Sequence, residues 1–159
     1  MSWCSRRNAW SLALALAAGA PGRAGAQGWR ETQLAAVGVL SKPAVGVAGL
    51  GLAWRDGGRT RIAATALLGA DEGGALNGRG EVAYHFLLDP ATRTGNGVYL
   101  GGGLALAVSD SGTRPFVMLV VGAENAPAGR RGTFIEVGVG GGLRASIGMR
   151  WRKQNAPSR

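Results

Sequence analysis

The sequence predicts an all-β fold in which eight antiparallel, up-and-down strands close into a barrel behind a cleaved signal peptide. Three observations predict it. Apolar residues recur at every second position in several segments, eight such segments are separated by short turn-forming clusters, and glycine supplies 29 of 159 residues. That share is about 18%, against an average near 7%. A helical reading fails on the same glycines, because each one inside a helix costs roughly 1 kcal/mol relative to alanine. Charged residues make up only 17% and there are six prolines, which excludes a charged disordered tail or a Pro-rich linker. No Gly-X-Y period is present.

The chain opens with Arg6 and Arg7, an apolar run from Ala9 to Ala20, and the small triplet Ala24-Gly25-Ala26. Basic start, short apolar stretch and small-residue cleavage site are the parts of a secretory signal peptide, and the apolar run is too short for a spanning helix, which needs roughly 20 residues. The predicted organisation is a signal peptide over 1–26, a barrel domain over 27–152 and a short basic tail over 153–159. Cys4 lies before the apolar run and leaves with the signal, so the mature chain has no cysteine and no disulfide framework. Loss of Arg6, Arg7 and Arg23 leaves 15 basic against 9 acidic residues, a net charge of +6 rather than the +9 of the whole chain. The high pI therefore argues less for nucleic acid than it first suggests, and no nucleic-acid partner is expected.

The strands are predicted over Thr32 to Leu40, Ala44 to Arg55, Arg59 to Gly69, Gly78 to Leu88, Gly97 to Val108, Pro115 to Ala123, Thr133 to Gly140, and Leu143 to Arg152. The clusters between them include Ser41-Lys42-Pro43, Asp56-Gly57-Gly58, Asp71-Glu72-Gly73-Gly74, Asp110-Ser111-Gly112 and Gly140-Gly141-Gly142. Such residues supply positive φ, fixed φ or local side-chain hydrogen bonds, and short turns favour antiparallel neighbours. The last strand alternates most cleanly: Leu143, Ala145, Ile147, Met149 and Trp151 oppose Arg144, Ser146, Gly148, Arg150 and Arg152. Val82, Tyr84 and Phe86 oppose Glu81, Ala83 and His85; Val98, Leu100 and Leu104 oppose Tyr99, Gly101 and Gly103; Ile135 and Val137 oppose Phe134 and Glu136. Pro115 to Ala123 is apolar on both faces.

Alternation alone does not decide which face points outward. A water-soluble barrel would clothe its exterior in Lys, Glu and Thr, whereas the face opposite the large aliphatics is mostly Gly and Ala with a few charges. That composition suits a narrow lumen, so the barrel is expected to be transmembrane. The longest uncharged mature run, Thr94 to Ser109, spans 16 residues with five glycines, short of the ~18 expected of a spanning helix. The alternative is a soluble periplasmic barrel binding an apolar ligand inside, with Leu104, Ile147 and Met149 in its pocket. Aromatics give a second test. With the chain starting in the periplasm, Trp29, Trp54, Tyr84, Phe86, Tyr99, Phe134 and Trp151 fall near the periplasmic rim and only Phe116 near the other. They form one half of an aromatic belt of the kind found at membrane interfaces.

On segments such as Gly80-Glu81-Val82-Ala83-Tyr84-His85-Phe86 and Gly97-Val98-Tyr99-Leu100-Gly101-Gly102-Gly103, the chain resembles the small bacterial outer-membrane β-barrel proteins. The resemblance covers roughly Arg30 to Lys153. It implies a cell outer-membrane location, outer-membrane lipid as the surroundings, contact with the barrel assembly machinery during biogenesis, and a monomer. In that family the last strand ends on an aromatic residue that the assembly machinery reads. Trp151 matches it, although Arg152 to Arg159 follow, and the outer loops are shorter than is usual in the family.

The inventory for catalysis is thin. One His and no mature Cys cannot make a Cys/His metal site or a Cys/His pair, so no metal and no cofactor is expected. No G-x-G-x-x-G spacing occurs, and Lys42 and Lys153 do not sit in a phosphate loop. Some barrels of this family process lipid acyl chains with His and Ser near the outer leaflet, but His85 falls near the periplasmic end, and no enzyme is expected. Arg79, Glu81, His85, Glu136, Arg144 and Arg150 share the small-residue face and are expected to satisfy one another as a polar lumen network, with His85 beside Glu81. Charge is lopsided at the rims. Arg30, Arg55, Arg59, Arg93, Arg130, Arg131, Arg152, Lys153 and Arg159 lie at the predicted periplasmic end against Glu31, Asp56, Asp89 and Glu124. The functional expectation is a non-enzymatic, porin-like envelope barrel with a structural or narrow-passage role.

Overall fold

The computed structural model describes residues 29–55, 58–91 and 93–153. The signal peptide, Cys4 and Arg159 lie outside those residues. Eight strands follow in order: β1 (Trp29–Leu40), β2 (Val45–Arg55), β3 (Thr60–Asp71), β4 (Leu76–Leu87), β5 (Asn96–Ser109), β6 (Gly112–Asn125), β7 (Arg131–Val139) and β8 (Leu143–Lys153). They close into one antiparallel barrel in sequence order. Strand number and order agree with the sequence reading. The differences lie at the ends, where β1 begins at Trp29 and β6 extends from Gly112 to Asn125.

The registers fix the geometry. Following partners from Trp29 through Arg55, Arg61, His85, Gly101, Val120, Gly138 and Arg144 leads back to β1 at Val39. The walk returns ten residues above its start, a shear of 10. Strands in such a barrel tilt by about 40°, so a 12-residue strand such as β1 rises about 30 Å at ~3.3 Å per residue. That spans a hydrophobic band of roughly 25 Å.

The turns hold by local chemistry. In the β3–β4 turn, Asp71 Oδ1 accepts from the backbone N–H of Gly73 and of Ala75, both at 2.9 Å. Gly74 follows at φ 82°, a left-handed conformation that favours glycine. The wall is uneven at the turn-rich end. The registered pairs between β6 and β7 stop at Leu119↔Val139, so residues 112–118 of β6 pair with β5 alone.

The two faces are inverted relative to a water-soluble protein. Twenty-six large hydrophobic side chains are exposed among the described residues, while Arg, Glu and His are buried inside. Leu104, Ile147 and Met149 are 65%, 61% and 44% exposed on the outside. This overturns the alternative that puts them in an internal ligand pocket, because their strand parity directs them away from the lumen.

Candidate functional site: the charged lumen

The interior is built by parity. In β8, Arg144, Ser146 and Arg150 are buried while Leu143, Ala145, Ile147 and Met149 are exposed. In β4 the inward set is Asn77, Arg79, Glu81, Ala83, His85 and Leu87. In β1, Glu31, Gln33, Ala35, Val37 and Val39 face inward. Apolar side chains line part of the wall, with Val37, Val39, Val47 and Leu67 packed as one cluster.

Glutamates and arginines occupy two layers. In the layer toward the short β7–β8 turn, Arg79 Nε donates to Glu81 Oε1 at 2.6 Å and Arg79 Nη2 to the Gly140 carbonyl at 2.9 Å. Arg144 donates to both oxygens of Glu81, at 3.1 and 2.8 Å, and to Glu136 Oε2 at 2.8 Å. Ser146 also donates to Glu136, at 2.8 Å. In the layer toward the chain termini, Arg61 Nη1 donates to Glu124 Oε2 at 2.7 Å, and Arg150 Nη1 donates to the same oxygen. Arg152 Nε donates to Glu31 Oε1 at 2.5 Å, and Arg55 Nη1 lies 3.7 Å from that oxygen while donating to the Pro127 carbonyl.

Tyr99 joins the layers. Its hydroxyl donates to Glu136 Oε1 at 2.8 Å and accepts from Arg150 Nη2 at 3.2 Å. Its ring lies 4.7 Å from the Arg61 guanidinium and meets the His85 ring edge-on at 5.1 Å. Arg150 also stacks 4.0 Å over the Phe134 ring. Such contacts add cation–π attraction to the hydrogen bonds.

All six residues read from the sequence as a lumen network are buried inside, but two of them find their hydrogen-bond partners outside the six: Arg150 donates to Glu124, Gln33 and Tyr99, and His85 is the other. His85 Nδ1 accepts from Arg61 Nε at 3.4 Å and Nε2 lies 3.8 Å from Glu136 Oε1. Glu81 is not its partner, since four residues along one strand separate the two by about 13 Å.

The belt assignment needs three corrections. Tyr99 and Phe134 are 0% and 3% exposed and lie in the lumen. Trp29 shares the inward parity of Glu31 and lines a cavity at the mouth with Arg55 and Arg93. Closeness to one end of a strand says nothing about face, and these three have the wrong parity for lipid. Trp54, Tyr84 and Phe86 are exposed outside, and Trp151 is half-buried on the outward parity of β8.

The rim-charge expectation is corrected too: Arg55, Glu31 and Glu124 are buried and Arg152 is half-buried, all drawn into the lumen. Arg61 was absent from the network read from the sequence. Its signal was available, because Arg61, Ala63 and Leu67 alternate with exposed Ile62 and Leu68.

Glycine makes the rings fit. Tyr99 is registered opposite Gly122, Phe134 opposite Gly148 and His85 opposite Gly101. A Cβ at Gly122 would overlap the Tyr99 ring, one at Gly148 the Phe134 ring, and one at Gly101 the His85 ring. Gly51 has the same role for a hydrogen bond: Gln33 and Thr65, its partners on either side, meet across it at 2.6 Å. One cavity of about 20 Å³ in the lumen is bordered by Gln33, Thr65, Glu81, His85, Glu136 and Arg144, room for about one water molecule.

The chain is similar to the crystal structure of the N-terminal β-barrel domain of Pseudomonas aeruginosa OprF, with a TM-score of 0.58 and 15% identity, covering 80% of this chain and 100% of that one. The fold is that of an outer-membrane-protein barrel domain. No family model and no curated protein matches the chain.

Proposed function

We propose that this protein is an outer-membrane barrel with a structural, non-enzymatic role in the cell envelope, its interior closed to solutes. One observation carries the membrane siting: large aliphatic side chains cover the outside of a closed barrel whose charged groups are inside. In hydrocarbon, every backbone group must be satisfied internally, and a closed barrel does this. What supports closure of the interior over a narrow passage is the filling of the lumen, where arginine–glutamate pairs and three rings pack around a cavity of only about 20 Å³. The non-enzymatic reading rests on the environment of His85, which is buried among Arg61, Tyr99 and Glu136 with no Ser or Cys hydrogen-bonded to it among the described residues.

Cell fractionation with gel migration before and after boiling tests the siting. The protein is expected in the outer-membrane fraction with a heat-dependent shift, and recovery in the soluble periplasm without a shift would overturn it. Planar-bilayer recording tests closure: the wild type is expected to show no steady conductance, and stable unit currents in the wild type would restore the passage reading. A Glu136→Ala variant, which takes one acceptor each from Arg144, Ser146 and Tyr99, is the comparison most apt to open it.

A further inference from the structure

Two cations face each other on the outer wall without an acid between them. Arg30 of β1 is registered directly opposite Lys153 of β8, both have outward parity, and both are exposed. Neither has a side-chain partner among the described residues. Like charges directly opposite on one face of a sheet repel, so this pairing favours a counter-charge that no described residue supplies. Its surroundings say what kind. Arg30 is registered on its other side with Trp54, which is exposed on the lipid-facing wall. Trp151 lies two residues above Lys153 on the same face of β8. A second registered pair of the same type, Arg131↔Trp151, stands on the next seam. Indole rings settle at headgroup level, so the two cations stand at the depth of lipid phosphates, just outside the apolar band.

We propose that Arg30 and Lys153 together bind the phosphate of an anionic phospholipid headgroup at the seam where β1 and β8 close the barrel, flanked by Trp54 and Trp151. Arg30 supplies a planar fork and Lys153 a point charge, and the phosphate replaces their mutual repulsion with attraction to both. The other end differs in its charges: its cations Lys42 and Arg114 share it with Asp71, Glu72 and Asp110. The inference rests on the membrane siting proposed above.

The test is tryptophan quenching by brominated lipids in vesicles of phosphatidylcholine containing phosphatidylglycerol, with the bromine placed on one lipid or the other. The wild type is expected to favour phosphatidylglycerol about fivefold, the factor that corresponds to about 1 kcal/mol for one basic contact. The preference should fall toward unity at 0.5 M salt, where the screening length is only a few Å. An Arg30→Gln/Lys153→Gln variant should lose it, while Arg130→Gln, a rim charge outside the seam, should keep it. Equal quenching in the wild type, or a preference that survives the double substitution, overturns the site. Loss in Arg130→Gln to the same extent would also overturn it, by reducing the effect to general rim charge. Absence of quenching by both lipids together with no heat-dependent gel shift would overturn the membrane siting itself, an outcome distinct from equal quenching.

Discussion

The two layers of the lumen solve the same burial problem with different charge balances. The layer near the β7–β8 turn holds two arginines, Arg79 and Arg144, against two glutamates, Glu81 and Glu136, and each of those glutamates accepts from at least two donors. The layer near the chain termini holds four arginines, Arg55, Arg61, Arg150 and Arg152, against Glu31 and Glu124. Three buried polar atoms without a hydrogen-bond partner, Glu31 Oε2, Arg61 Nη2 and Glu124 Oε1, all lie in this second layer. The difference is one of cation surplus and not of exposure: Arg61, Glu31 and Glu124 are at least as buried as Arg79, Glu81 and Glu136. Of the second layer's charges Arg55 lines the mouth cavity of about 270 Å³, with Trp29 and Arg93. With four arginines for two glutamates, each carboxylate there has several cations within reach, so one can be removed and others remain.

The comparison is most exposed to failure at Arg144. Replacing it by Met leaves Glu81 and Glu136 facing each other with one cation fewer, and a broken buried pair costs about 3–5 kcal/mol. Urea unfolding of detergent-folded protein should show that loss, and a change under about 1 kcal/mol would mean that the balanced layer is as tolerant as the one with surplus arginine. Gly122→Ala drives a Cβ into the Tyr99 ring and should cost about 1–3 kcal/mol through overpacking. Gly38→Ala has nothing within 4 Å and should be close to neutral in the same unfolding series; equal costs for the two would remove the steric role assigned to the lumen glycines.

Tyr99→Phe keeps the ring and removes the hydroxyl that joins the layers. A cost of about 1–2 kcal/mol is expected from the lost hydrogen bonds and the acceptor left on Glu136, read from the shift in unfolding midpoint. Among the charge substitutions the smaller effect belongs to Arg152→Gln in the arginine-rich layer. Glu31 keeps Arg55 at 3.7 Å and Arg61 at 3.9 Å, so about 1 kcal/mol is expected, and a loss as large as that of Arg144→Met would erase the distinction between the layers.

Much of this architecture was legible in the residues one by one. Leu143 to Lys153 shows its two faces without any structure, and the same holds for Gly80 to Leu88, because β geometry repeats every two residues and parity is a local property. The inward positions of Arg79, Glu81, Glu136, Arg144 and Arg150 follow from it. Tyr99 and Phe134 show where reasoning by strand end misleads. Their parity marks them as interior, yet their position near one rim suggests a belt, and only their opposition to Gly122 and Gly148 reveals the space that holds them.

The sequence by itself determined the number of strands, which residues share a face in β4, β5, β7 and β8, and the supply of glycine. Tertiary structure decided the partners. His85 finds Arg61 and Glu136 rather than Glu81, Arg150 finds Glu124, and Arg152 turns in to Glu31. Which side chains meet across a lumen depends on the shear of the closed barrel, and shear is the sum of eight registers between strands. Each of those registers joins separate stretches of chain, and only closure makes them consistent with one another.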